Sequence, residues 1–118
     1  MTTPGALPTL HTEALGRRTL VVLCGELDAY ARGLLEPELD VVLGAANPPD
    51  LVIDLSDVPF ADCGGLALLI RARNRALRRG GSVTLACVAP AVLRVLRLTR
   101  TDEGFDVSPE RPGVSASR

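Results

Sequence analysis

The sequence predicts a single small α/β domain built on a largely parallel sheet. Strand-length apolar runs alternate along the chain with longer stretches whose apolar residues recur at helical spacing. Breakers separate them at Gly25, at Asn47-Pro48-Pro49-Asp50 and at Gly80-Gly81. The size agrees: 118 residues, 47% hydrophobic and 23% charged, suit one soluble domain with a modest core. With one Tyr, two Phe and no Trp, that core must be aliphatic.

Each element has its own signal. Residues 7–12 offer a first short strand, and RTLVVLC, Arg18 to Cys24, a stronger second one. GELDAY then turns the chain. Leu34, Leu35, Leu39, Val42 and Leu43 fit one helical face, with Pro37 either in the first turn or at a kink. LVIDL, Leu51 to Leu55, reads as a buried strand. From Gly65 to Arg79 the spacing is helical again, with Leu66, Leu69, Ile70 and Leu77 on one side. Arg71, Arg75, Arg78 and Arg79 fall opposite, while Arg73 falls inside the apolar arc and must snorkel or find a partner. SVTLACV is a further strand, and Pro90 opens a short helix carrying Val92, Leu93 and Leu96. Phe105-Asp106-Val107 can add an edge strand. Strand-helix-strand units imply parallel pairing through right-handed crossovers, and the first two strands can pair antiparallel.

Charge and cysteine content narrow the function classes. The formal net charge is -1, yet residues 1–62 carry ten acids and three arginines, while residues 63–101 carry eight arginines and no acid. Such segregation can steer a charged partner. An arginine-rich helix without aromatic interleaving or a nucleic-acid motif reads as a solvated helix face, so no nucleic acid is expected as partner. No metal is expected either: Cys24, Cys63 and Cys87 match no short ligand pair, and His11 is the only histidine. Cys24 and Cys87 lie in strand-like runs and read as buried small hydrophobes. No apolar run reaches membrane-spanning length and no signal-peptide pattern opens the chain, so the expected location is the cytoplasm, with no membrane contact.

The stretch VPFADCGGLALL, Val58 to Leu69, carries the most local information. A strand hands over to a helix there, and the carboxyl ends of strands are the usual functional edge of an open α/β sheet. Asp62-Cys63-Gly64-Gly65 can be a capped turn, an anion cradle at a helix start, or the seat of a reactive thiol. A cysteine enzyme would need a base, and nothing places His11 nearby. GxGxxG and GxxxxGK[ST] are both absent. GELD, Gly25 to Asp28, adds two carboxylates at the end of the second strand, read as a turn with exposed acids.

Together these pieces resemble the STAS domain, and specifically the bacterial anti-sigma factor antagonists. GELD, LVIDLSDVPFADCGGLALL and GGSVTLACVAPAVLRVLRLT carry the resemblance, which runs from about Leu7 to Val107. It implies a STAS-like domain over 7–107, with a flexible N-terminus at 1–6 and a disordered tail at 108–118. The sheet should be mixed and four- to five-stranded, with helices mainly on one face. The implied role is that of a protein-binding switch, without enzymatic activity and without a cofactor. The implied partner is an anti-sigma factor that is also a serine kinase of the histidine-kinase-like ATPase type, or another STAS-pathway regulator.

In that family the loop reads Asp-Ser-Ser-Gly-Leu or close to it, and phosphorylation of the second serine breaks the complex. Here Asp62 matches the aspartate and Gly65-Leu66 match the Gly-Leu. Cys63 stands at the first serine and Gly64 at the phosphorylated one, so the usual switch has no hydroxyl to act on. Arg100 stands where the last helix often ends in glycine. The implied contact surface is Glu26, Asp28, Asp62, Cys63, Gly64, Gly65 and Leu66. Alternatives are a redox-responsive module acting through Cys63, or a non-switching scaffold in a larger STAS assembly.

Overall fold

The computed structural model describes residues 7–111. Two strands open it: β1 (Thr9–Leu15) and β2 (Arg18–Cys24). Then come α1 (Ala29–Ala45), β3 (Asp50–Asp57), α2 (Cys63–Arg78), β4 (Ser82–Ala86), α3 (Pro90–Leu98), a 3-10 turn (Thr101–Gly104) and β5 (Asp106–Ser108). The strands form one sheet in the order β1-β2-β3-β4-β5. The β1–β2 pair is antiparallel and the other three pairs are parallel. The mixed five-stranded sheet and the helical core on one face agree with the predicted class.

Alternation within the strands divides the buried residues between two faces. Val21, Leu23, Leu51, Ile53, Leu55, Val83 and Leu85 pack against Leu35, Leu39 and Leu43 of α1, Leu66, Leu68 and Leu69 of α2, and Val92 and Leu96 of α3. The other face carries a smaller cluster, Leu20, Val22, Val52 and Ala86, with Leu15, Cys24 and Cys87 packed beside it. The two cysteines read as buried are thus only half-buried. Among these apolar residues sits Asp54, 1% exposed. Its carboxylate accepts from the Ser56 amide at 2.8 Å and pairs with the Arg111 guanidinium. The domain boundary expected at 107 falls inside β5, and Arg111 still contacts the sheet. Residues 1–6 and 112–118, read as flexible or disordered from sequence, lie outside the described residues.

Several boundaries differ from the sequence reading. β1 runs Thr9–Leu15, and α1 begins at Ala29, inside the segment expected to turn. Its first turn buries only Ala31, so apolar spacing could not reveal it. The start is set by a cap instead: the Asp28 carboxylate accepts from the Ala31 amide at 2.8 Å. Pro37 lies well inside α1. Its missing N–H leaves the Gly33 carbonyl without its helical donor, and both residues are exposed to water.

The arginine side of α2 does not simply face solvent. Arg71 Nε lies 2.9 Å from Glu36, close enough for ion pairing but not aligned for a hydrogen bond, while its Nη2 donates to Asp40 at 2.9 Å. Arg75 pairs with Asp40 at 3.4 Å, and Arg79 donates to the Leu43 carbonyl. Arg73, inside the apolar arc, stacks its guanidinium 5.2 Å from the Phe105 ring centre and donates to Asn74.

Candidate partner-binding loop

The C-terminal ends of β2 and β3 remain zipped after the strands end. The Gly25 amide donates to the Asp57 carbonyl at 3.0 Å, and Leu27 to Phe60 at 2.9 Å. The Asp62 amide then donates back to the Leu27 carbonyl at 3.0 Å, and Leu27 and Ala61 form a parallel bridge. Leu27 and Ala61 are buried, which anchors both loops in the core. GELD and VPFAD, far apart in the chain, thus form one continuous ledge.

Both helices above the ledge start in the same way. Asp28 caps α1, and Asp62 caps α2 by accepting from the Gly65 amide at 3.1 Å. Each carboxylate satisfies a helix-start amide that has no partner within the helix, and its charge suits that end of the helix dipole. Neither is therefore a free acid in search of a substrate. Glu26, two residues before the Asp28 cap, is exposed.

The two glycines permit this packing. A Cβ built on Gly65 would stand 2.1 Å from the Leu27 carbonyl oxygen, an impossible contact. One built on Gly64 would meet the Ala29 amide nitrogen at 2.7 Å and Ala29 Cα at 2.9 Å. The starts of α1 and α2 therefore touch through backbone at position 64. Cys63, the first residue of α2, is exposed. Leu66 is 3% exposed and belongs to the core, and Gly65 is buried as well. Of the seven residues expected to form a contact surface, these two offer almost no area. The structure adds two that the sequence reading passed over: Phe60, 47% exposed on the ledge, and Tyr30, 62% exposed in the first turn of α1. The available signal was that these two of the chain's three aromatic residues flank the two motifs.

The other thiols lie elsewhere. Cys24 points its Sγ at Asp57, 3.7 Å away. Cys87 sits beside Asp54 and Arg111; burial and the Asp54 charge push its thiol up, with Arg111 opposing. Among the described residues, no three His, Cys, Asp or Glu side chains gather as they would around a metal. No helix there is long and apolar enough to cross a membrane.

A mixed sheet whose two central strand ends share a ledge, with capped helix starts above it, defines a compact module that presents backbone-rich loops at one sheet edge. The sequence profile of the STAS domain matches residues 9–112, and the chain belongs to the STAS domain family. It is 29% identical over 93 residues to the anti-sigma-B factor antagonist of Bacillus subtilis (strain 168), covering 79% of this chain and 84% of that one. To the anti-sigma F factor antagonist of Paenibacillus polymyxa it is 25% identical over 80 residues, 68% of each chain. Its fold superposes on the crystal structure of an anti-sigma factor antagonist from Mycobacterium paratuberculosis. That match has a TM-score of 0.77 and 29% identity, over 92% of this chain and 91% of that one.

Proposed function

We propose that the chain is a regulatory protein-binding module of the anti-sigma factor antagonist kind. It docks on a kinase-type anti-sigma factor through the ledge formed by residues 25–28 and 58–65, and it holds that partner whether or not ATP is present. The observation that carries the reading is position 64. On our reading of the loop, Gly64 takes the position of the family's phosphorylated serine, and the start of α1 packs against it. A phosphate added at such an interface would bring charge repulsion beside the Asp62 carboxylate that caps α2 and a large desolvation cost. Without an acceptor hydroxyl that disruptive event is unavailable, and the module is constitutive. Ser56 lies on β3, outside the ledge, so it is not the family's acceptor position.

The test mixes the purified chain with a candidate kinase-like anti-sigma factor, with and without Mg-ATP. The expected result is a complex of unchanged affinity and no mass increase of one phosphate on the chain. A phosphorylated ledge, or dissociation on adding ATP, would overturn the reading. A second reading is favoured by the exposure of Cys63 at the ledge. There, oxidation of the thiol would disrupt docking in place of phosphorylation. Cys63→Ser, compared with the unaltered chain before and after peroxide, decides it. Equal binding by both proteins removes the redox role.

A further inference from the structure

The two edges of the sheet are unlike. β5 is only three residues long, which limits any pairing along it. β1 is seven residues long and exposed over most of its length. It contains no Pro or Lys, and its register with β2 runs without a bulge from Thr9 to Leu15. Of the devices that ordinarily protect an edge strand, β1 lacks shortness, proline, lysine and a bulge, and carries one formal charge, Glu13.

The hairpin settles which backbone groups are free. Leu15 pairs with Arg18 across the two-residue turn Gly16-Arg17, and Gly16 has φ 63. Glycine at the first central position with positive φ is the type II′ arrangement. In such a hairpin the closing pair exchanges its amide and carbonyl bonds, and hydrogen-bonded pairs then alternate with non-bonded ones. Leu15, Glu13, His11 and Thr9 therefore direct their main-chain groups at β2. Leu10, Thr12 and Ala14 direct theirs outward, where among the described residues no strand receives them.

We propose that β1 is a docking edge for a second copy of this chain, paired antiparallel about a two-fold axis at Thr12. The sequence TLHTEAL is chemically self-complementary about that residue. Thr12 then faces Thr12 of the other copy, and Leu10 faces Ala14. These are the residues with outward backbone groups, so each pair closes both of its hydrogen bonds. His11 faces Glu13 in the intervening non-bonded pairs, where side chains approach most closely. Within one copy the two already lie 3.6 Å apart, and each side chain is still 58% exposed, so the pair can extend to the facing pair of a neighbour. Thr–Thr pairs are among the favourable cross-strand combinations, and an imidazole facing a carboxylate can donate a hydrogen bond to it. Shifting the axis to Leu10 or Ala14 leaves part of the strand unpaired and separates His11 from Glu13. Faces match as well: His11 and Glu13 sit opposite Val22 and Leu20 on the face away from the helices, while Leu10 and Thr12 sit opposite Leu23 and Val21 on the helix side. The product is a continuous sheet through two molecules, joined by one strand from each. Its contact is small by the standard of stable interfaces, so the dimer dissociates on dilution.

Sedimentation of the full-length chain over a wide concentration range tests this. The mean mass should rise from monomer towards dimer with concentration. Thr12→Pro removes the central outward amide while leaving the β1–β2 bonds of His11 and Glu13 intact, and should stay monomeric with an unchanged far-UV spectrum. His11→Glu places acid opposite acid and should weaken association about tenfold. Adding Glu13→His to it reverses the pair and should restore the original association. This charge-swap series decides the matter even if Thr12→Pro fails to fold. A wild-type chain that remains monomeric throughout, a dimer that survives Thr12→Pro, or a swap that fails to rescue would each overturn the proposal.

Discussion

Gly64 and Gly65 adjoin in the sequence but are required by different neighbours: Gly65 by the Leu27 carbonyl, Gly64 by the backbone of Ala29. The loop resemblance makes Gly64 a position without a hydroxyl where one was expected. In the fold it is a position without room for a Cβ, because the backbone of Ala29 at the start of α1 occupies that space. Gly64→Ser therefore alters packing as well as chemistry. Arg100 shows the reverse situation. Its φ of 60 is left-handed, a conformation that disfavours a side chain and suits glycine. Its ion pair with Glu103 is long, 3.6 Å, with both side chains largely exposed, and compensates little. Arg100→Gly should stabilise the protein by about 1 kcal/mol, after the entropic cost of glycine offsets part of the relief. Urea unfolding at neutral pH measures this, and a loss of stability would refute the strain argument.

At the scale of elements, the arginine-rich helix is explained by its partner helix. The wheel of α2 places Leu66 and Leu69 on the buried side correctly, but Leu77, read on the same side, is 55% exposed and Leu68, left out of it, is core; nor can it show that Glu36 and Asp40 of α1 lie alongside. The Asp40 hydrogen bond, opposed by burial and helped by the charges of Asp40 and Glu36, raises the pKa of Arg71. Asp40→Asn breaks the contacts to both Arg71 and Arg75. All of these side chains are partly exposed, so the expected loss of stability is small even in low salt. It should shrink further in high salt, since surface ion pairs are screened. Unfolding curves at two ionic strengths check both statements. Helix starts at the ledge follow a different logic: Asp28 and Asp62 were legible as acids in loops, while their capping role depends on where the following amides point.

At the scale of the whole molecule, one contact joins the middle of the sheet to the C-terminal segment. Burial pushes the Asp54 carboxyl up, but the Ser56 amide and side chain and the Arg111 guanidinium outweigh it, and its pKa is lowered from 3.8. A carboxyl that ionises below its unfolded value stabilises the fold fully above that value. The contribution is lost as pH falls through the lower folded value. Asp54→Asn should therefore flatten the acid limb of the melting temperature against pH, below the ordinary carboxylate range. Arg111→Ala, which leaves a buried carboxylate unpaired, should cost about 3 kcal/mol at neutral pH, the lower end for such a loss because Arg111 is itself part-exposed. Sequence reasoning found neither partner, since a lone Asp in LVIDL and an Arg in a Pro-rich tail carry no pattern linking them. What the sequence by itself determined is the alternation of elements, the greater part of the aliphatic faces of α1 and α2 (Leu34 and Leu77 are exposed), the class of the fold and its family. Those features are periodic or local, and they follow from neighbours a few residues apart. Only the tertiary structure decided that GELD and VPFAD form one ledge, that Ala29 fills the space above Gly64, that Leu66 is core, and that Asp54 is held by Arg111. Each depends on residues distant in sequence being brought within hydrogen-bond or van der Waals reach, and parallel pairing through helical crossovers brings them there.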